Sequence, residues 1–385
     1  MSDSTNRAAG SGRHRWRAGA RAARVVVIVA VLAVIGAGYL KSVDGHPAAP
    51  ARLAPIPIHI PAGPGRFAAE AAVAVTQLQR KAGNAYLHSH SWQAASSLSA
   101  TIGFMRATGS RAYLSDLSAI YRGHFAGGAY HTGFYDDMGW WVLTWIKAYD
   151  LTGDTTYIRE ARRLFATMSR GWTRVCGGGV VWNQHRRYKN AITNEEFMQA
   201  AVLLHEATPG DTWYARWALR DWAWFSASGM LTRSGLVVDG LAPDCRPNLS
   251  SQTWTYNQGM LVGAMVSLAT LTGHKSFLVT AGKVAHAVIR SPILSPGGIL
   301  REPCAPLQCG RDAPMFKGIF MQNLKLLYDR VGGAGYQRYM RRNAVAAWAD
   351  DRQGATFGIS WTGPFLAPTL PSQASALDLL TTQIP

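Results

Sequence analysis

Two adjacent acids, Asp136 and Asp137, stand in the stretch Tyr135-Asp136-Asp137-Met138-Gly139-Trp140-Trp141, at the head of an apolar, tryptophan-rich run. Paired carboxyls can divide one reaction between them, one attacking carbon as an anion while the other delivers and retrieves a proton. The same pair has a plainer use, since acids in a helix's first turn satisfy free N–H groups and suit the positive end of its dipole. Met138, Trp141, Val142, Trp145 and Tyr149 fall at helical spacing, which places both acids in that first turn. Consecutive helical residues diverge by about 100°, so the two can share a cleft only at such an entry or in a loop. A helix N-terminus favours both as anions, whereas a general acid must keep a proton. Repulsion between close like charges must therefore prevail, and the pair is expected to titrate in two separated steps.

From Gly65 onward the chain reads as helix after helix, with few alternating runs long enough for strands. A turn pattern, x-Gly-x-x-x-aromatic, recurs at Gly109, Gly153, Gly210, Gly273 and Gly332, at intervals of 44, 57, 63 and 59 residues. Glycine supplies a left-handed stop, a polar residue caps the next helix, and the aromatic (Tyr113, Tyr157, Tyr214, Phe277 or Tyr336) staples the corner. Each occurrence is one helical hairpin. A sixth can be assembled from 67–79 or from 373–380, and six hairpins predict an all-α fold, an (α/α)6 toroid around a central funnel. An open α-solenoid is the alternative, but solenoids need only short turns.

Four intervening loops are rich in rings, amides and acids. One contains Gly127 to His131 and leads into the acid pair. The second holds Cys176-Gly177-Gly178-Gly179, Trp182 and Tyr188 to Glu195, including Asn190 and Asn194. The third runs from Asp239-Gly240 to Trp254-Thr255-Tyr256-Asn257-Gln258-Gly259. The fourth spans Cys304 to Cys309, Arg311-Asp312 and Phe316-Lys317-Gly318. Sugars present apolar C–H faces that stack on rings and hydroxyl pairs that planar amides and acids hold, so this mixture suits a saccharide cleft. Trp145, Trp172, Trp213, Trp217, Trp222 and Trp224 fit helical periodicity and are assigned to the core.

In these motifs, in this order and over roughly residues 65 to 380, the chain resembles glycoside hydrolase family 76, the α-1,6-mannanases. The resemblance rests on Tyr-Asp-Asp with Trp140-Trp141, on Cys-Gly-Gly-Gly with the later Tyr-Lys-Asn-Ala-Ile-Thr-Asn-Glu, on Trp-Thr-Tyr-Asn-Gln-Gly, and on Arg-Asp before Phe-Lys-Gly-Ile-Phe. It implies an (α/α)6 barrel and retaining cleavage of α-1,6-mannosidic bonds, with Asp136 as nucleophile and Asp137 as general acid/base. The expected substrate contacts are Tyr135, Trp140, Trp182, Asn190, Asn194, Asp239, Tyr256, Asn257, Gln258, Asp312 and Lys317, with Glu195 a weaker candidate. The expected partner is α-1,6-linked mannan or its oligosaccharides. Transglycosylation between cell-envelope glycans and non-catalytic glycan binding are the rival readings.

Composition narrows the remaining classes. Of 385 residues, 48% are hydrophobic and 16% charged, which is globular rather than disordered. The net charge of +17 is partly local, because residues 1–50 hold seven Lys/Arg against Asp3 and Asp44. The rest is spread without a dense basic run, so nucleic acid is not an expected partner. Residues 1–50 combine basic residues with the apolar run 25–40, a signal peptide or signal anchor, followed by a Pro/Ala-rich linker at 51–64 and one catalytic domain at 65–385. Either fate of the segment places the domain outside the cytoplasm, secreted or held at the membrane, and a monomer is expected. Cys304 and Cys309 suit a small disulfide loop, leaving Cys176 to meet Cys245; a four-thiolate zinc site is the competing reading. His88, His90, His124 and His131 fix no third metal ligand, and no phosphate-cradling loop appears, so neither metal nor cofactor is expected.

Overall fold

A computed structural model describes residues 65–82, 91–127, 130, 132–304 and 309–385. The apolar run at 25–40, the linker at 51–64 and His88, His90 and His131 lie outside them. Within the described residues the helices are α1 (Arg66–Ala82), α2 (Trp92–Thr108), α3 (Leu114–His124), α4 (Tyr135–Thr152), α5 (Thr155–Ser169), α6 (Ala191–Glu206), α7 (Thr212–Ser228), α8 (Thr255–Thr272), α9 (Ser276–Ile289), α10 (Ala313–Val331), α11 (Ala334–Asp350) and α12 (Leu370–Thr381). Among the described residues, strand is confined to a small hairpin, Arg352–Gln353 against Thr356–Phe357.

The even-numbered helices form a ring. α2 packs on α4, α4 on α6, α6 on α8, α8 on α10, α10 on α12, and α12 returns to α2. The odd-numbered helices lie outside them, and the whole is an (α/α)6 barrel. Sequence separates the two layers. α5 carries one apolar stripe, Tyr157, Ile158, Ala161, Leu164, Phe165 and Met168, whereas α6 and α8 are buried on nearly every face. Inner helices also approach closely: a Cβ at Gly259 of α8 would lie 2.5 Å from the Phe320 Cα of α10. Among the described residues no helix is long and apolar enough to cross a membrane.

The predicted punctuation is present in part, since Gly332 has φ 71° but ψ −153° and α3, α9 and α11 begin without a side-chain cap. Gly109, Gly153 and Gly273 are left-handed helix stops, and Asp154 and Asp211 cap the following helices through their side chains. At Gly210, by contrast, the helix has already ended at Ala207. Tyr157 lies flat on Trp145 of its own hairpin at 5.3 Å, but Tyr214 meets Phe165 and Phe277 meets Trp222, both on the neighbouring outer helix. These staples therefore tie hairpins to one another as well as closing corners. The sixth hairpin draws on both candidate segments, since α12 from the C-terminal part packs against α1 from the N-terminal part.

Candidate active site

All six inner helices begin at one rim; α4, α6, α8, α10 and α12 follow long connections, and α2, α4, α6, α8 and α10 are left through short turns. The rim therefore gathers six positive dipole ends, which partly offset the cost of burying acids there. Asp136 and Asp137 occupy the first turn of α4, after Phe134. Tyr135 N donates to Trp182 O at 2.9 Å, which fastens the loop of Trp182 across the helix entry, and Trp182 Nε1 donates to Asp136 Oδ2 at 2.9 Å. Asp137 has the Thr132 hydroxyl beside it and feels Asp312 from the entry of α10. Asp312 in turn accepts from Gln93 Nε2 of α2 at 2.7 Å.

Burial raises both acids above the ordinary carboxylate range, and Asp137 adds to the effect on Asp136. As a pair they are pushed up to about 8 and about 6. Burial and the neighbouring Asp137 oppose an anion on Asp136, while the Trp182 N–H favours one; on Asp137 burial opposes an anion, the Thr132 hydroxyl favours it and Asp312 opposes it. Near neutrality the pair thus holds one proton between the two acids.

Rings surround the pair. Trp92 and Trp140 are 5.6 Å apart, Trp92 and Phe316 5.9 Å, Trp254 and Phe316 5.6 Å, and Tyr256 stacks on Phe316 at 3.9 Å. This wall is built from the entries of α2, α4, α8 and α10. Asp239 stands on a neighbouring loop, its carboxyl raised by burial, accepting from Tyr188 Oη at 2.6 Å and Asn257 Nδ2 at 3.5 Å. Acids, rings and amides at the mouth of a barrel of inner helices are what a chain of pyranoses requires.

The chain matches the profile of glycosyl hydrolase family 76 across residues 71–384. It belongs to that family. Curated relatives include the mannan endo-1,6-α-mannosidase of Candida albicans, 27% identical over 59% of this chain and 55% of that protein, and that of Saccharomyces cerevisiae, 26% identical over 59% and 54%. The chain thus spans about half the length of the curated relatives it matches. Among solved structures, the GH76A α-1,6-mannanase of Salegentibacter sp. superposes with TM-score 0.75 at 24% identity over 82% of this chain and 98% of that one. Dfg5 of Chaetomium thermophilum, solved with glucosamine, superposes with TM-score 0.69 at 17% identity over 83% and 90%. Both share the fold.

Within this family 76 barrel, several expected contacts take other duties. Asn194 is fully buried, accepting from Val180 N at 2.7 Å and donating to Val180 O and Asn190 O. Gln258 does the same with Val237, accepting from its N–H and donating to its carbonyl and to Trp254 O. Both are corrected from cleft contacts to amide clamps that pin a rim loop onto an inner helix. Gln373 repeats the device with Phe357 N, Ala355 O and Ala74 O. Lys317 is likewise corrected: it is buried, donates to Ile359 O at 2.9 Å and sits over Trp361. Tyr135 is 8% exposed with its ring packed on Gly171, so it braces the entry rather than lining it.

Asn190 and Asn257 each keep a buried side-chain oxygen without a partner among the described protein groups, beside the Asp239 loop. Glu195 is fully buried, its carboxyl raised by burial and then by Asp239 and Asp221. The triglycine stretch is also framework. Gly179 has φ +83°, and a Cβ there would lie 2.5 Å from the Trp224 ring, whose Nε1 donates to Cys176 O. Both expected disulfides, Cys176–Cys245 and Cys304–Cys309, are present. Sequence reading missed Trp92, Gln93 and Thr132 at the site, and placed Tyr188 in a cleft loop without giving it a role. Ser91 caps α2 through its side chain, and this helix-entry signature just before Trp92 was the available signal.

Proposed function

We propose that this chain is a retaining glycosidase that cleaves α-1,6-linked mannan within the chain. Asp136 attacks the anomeric carbon and Asp137 protonates the departing oxygen; Asp137 then removes a proton from water, which releases the sugar from Asp136. The observation that carries the reading is the acid pair itself, adjacent in one helix entry, asymmetrically contacted by Trp182 and Asp312, and walled by Trp92, Trp140, Tyr256 and Phe316. Support comes from the Salegentibacter enzyme, whose inactive variant with two consecutive aspartates changed to asparagine was solved with α-1,6-mannotriose. A second reading is transfer of the mannosyl group to a sugar acceptor in place of water, which the same covalent intermediate on Asp136 permits. Export is part of the proposal, supported by the two disulfides and by the basic and apolar residues of 1–50, as are a monomeric state and the boundaries 51–64 and 65–385.

The test is product profiling on defined α-1,6-mannooligosaccharides, with and without an added mannoside acceptor. Shortened chains with retained anomeric configuration are expected, and elongated acceptors would indicate transfer. Asp136→Asn and Asp137→Asn should each lower cleavage by at least about a thousandfold while leaving the circular dichroism spectrum unchanged. Near-normal turnover by either variant would overturn the assignment.

A further inference from the structure

A third carboxyl lies beneath the pair. Glu196, in the second turn of α6, is fully buried, and neither of its oxygens has a partner among the described protein groups; nor has Asp136 Oδ1, which is buried too. Glu196 reaches this place through a gap in α4. A Cβ at Gly139 would come within 2.9 Å of both Glu196 Cβ and Cδ, and closer still to Oε2. Gly139 follows Asp136 by three residues, on the same helix face and one turn deeper. Glycine is disfavoured inside a helix, and here its missing side chain is what admits the carboxyl.

We propose that Glu196 is a positioning residue for the acid pair: a neutral carboxylic acid that donates a hydrogen bond, directly or through one water, to Asp136 Oδ1. The inference rests on the reading of Asp136 as nucleophile. The groups around Glu196 supply negative charge. Asp136 and Asp137 face it from α4, Glu195 precedes it on α6, and Tyr256 of α8 is close enough to feel it. Of the other neighbours, Asp221 of α7 and Asp239 act on Glu195, and Arg162 of α5 is bonded to Ala207 O and Thr208 at the far end of α6. Burial first, and then these carboxyls, push Glu196 well above its ordinary range. A buried carboxyl in such company takes up a proton. It then has one O–H to give, and Asp136 Oδ1, near the backbone N–H groups of Asp136 and Asp137 but without a partner in hydrogen-bond geometry, can accept it. With Trp182 on Oδ2 and Glu196 on Oδ1, Asp136 is held as the anion and the pair's proton stays on Asp137.

Two variants and two readouts test this. Glu196→Gln keeps a neutral donor, and it should retain kcat within about threefold and leave the pH–rate profile in place. Glu196→Leu keeps the bulk and removes the donor; at unchanged KM it should lose about tenfold or more in kcat, with the acidic limb moved up by about one pH unit. The second readout needs no activity. A group held neutral in the fold but ionised when unfolded lowers stability as pH rises, so the Tm of Glu196→Gln should gain on the native protein between pH 5 and pH 8. An acidic limb moved down by a unit in Glu196→Gln, a profile that neither variant moves, or a Tm difference independent of pH would each overturn the proposal. Should Glu196→Leu fail to fold, Glu196→Gln decides alone. Should the protein prove inactive on mannan, the enzymatic reading fails while the Tm comparison still decides the protonation of Glu196.

Discussion

At the scale of single residues, the proposed mechanism depends on making two chemically identical carboxyls unequal. Burial raises both, and their mutual repulsion leaves one proton between them over the interval from about 6 to about 8. Below it both acids are protonated and the proposed nucleophile is lost; above it both are ionised and the proposed general acid is lost. The pH profile of kcat/KM should therefore be a bell with its top in that interval, falling about tenfold per unit beyond either limb. A plateau extending to pH 4 would contradict the pairing. Trp182→Phe keeps the ring and deletes the N–H on Asp136 Oδ2. It should lower kcat about tenfold, the loss of one charge-assisted hydrogen bond, and raise the acidic limb; a mutant with native kcat and limb would show that this contact does not tune Asp136.

At the scale of elements, the long loops are held to the inner helices by side-chain amides acting as surrogate strands. Asn194 pairs with Val180 and Gln258 with Val237, each giving and taking a backbone hydrogen bond. These residues were legible as polar groups at helix entries, yet their partners lie 14 and 21 residues away. Sequence spacing does not distinguish an amide that faces sugar from one that faces backbone. The triglycine loop is held in the same region by Trp224, a residue that periodicity assigned correctly to packing. Gly179→Ala places a Cβ against that ring at a positive φ. It should cost about 2 to 4 kcal/mol, read as a lower midpoint in chemical denaturation, with activity falling as the Trp182 loop loosens. An unchanged midpoint would mean that the loop bears no constraint from Trp224.

At the scale of the whole molecule, the ring is closed by elements far apart in the chain, α12 against both α1 and α2. Cys176–Cys245 adds a link across 69 residues, between the triglycine loop and the third rim loop. Replacing both cysteines by alanine should lower stability by up to about 4 kcal/mol on the loop-closure estimate, measured by guanidinium unfolding. A double variant as stable as the native protein under oxidising conditions would show that the amide clamps alone fix those loops. The sequence by itself determined the helical class, five of the helical hairpins and the acids' place at a helix entry. All of these are local: caps, left-handed stops, apolar stripes and short spacings act over a few residues. The tertiary structure decided which amides hold backbone, that both ends of the described chain build the sixth hairpin, and that Glu196 enters beneath Asp136 through the gap at Gly139. Those outcomes depend on which helix faces which, a relation between distant segments that no residue pattern within one of them encodes.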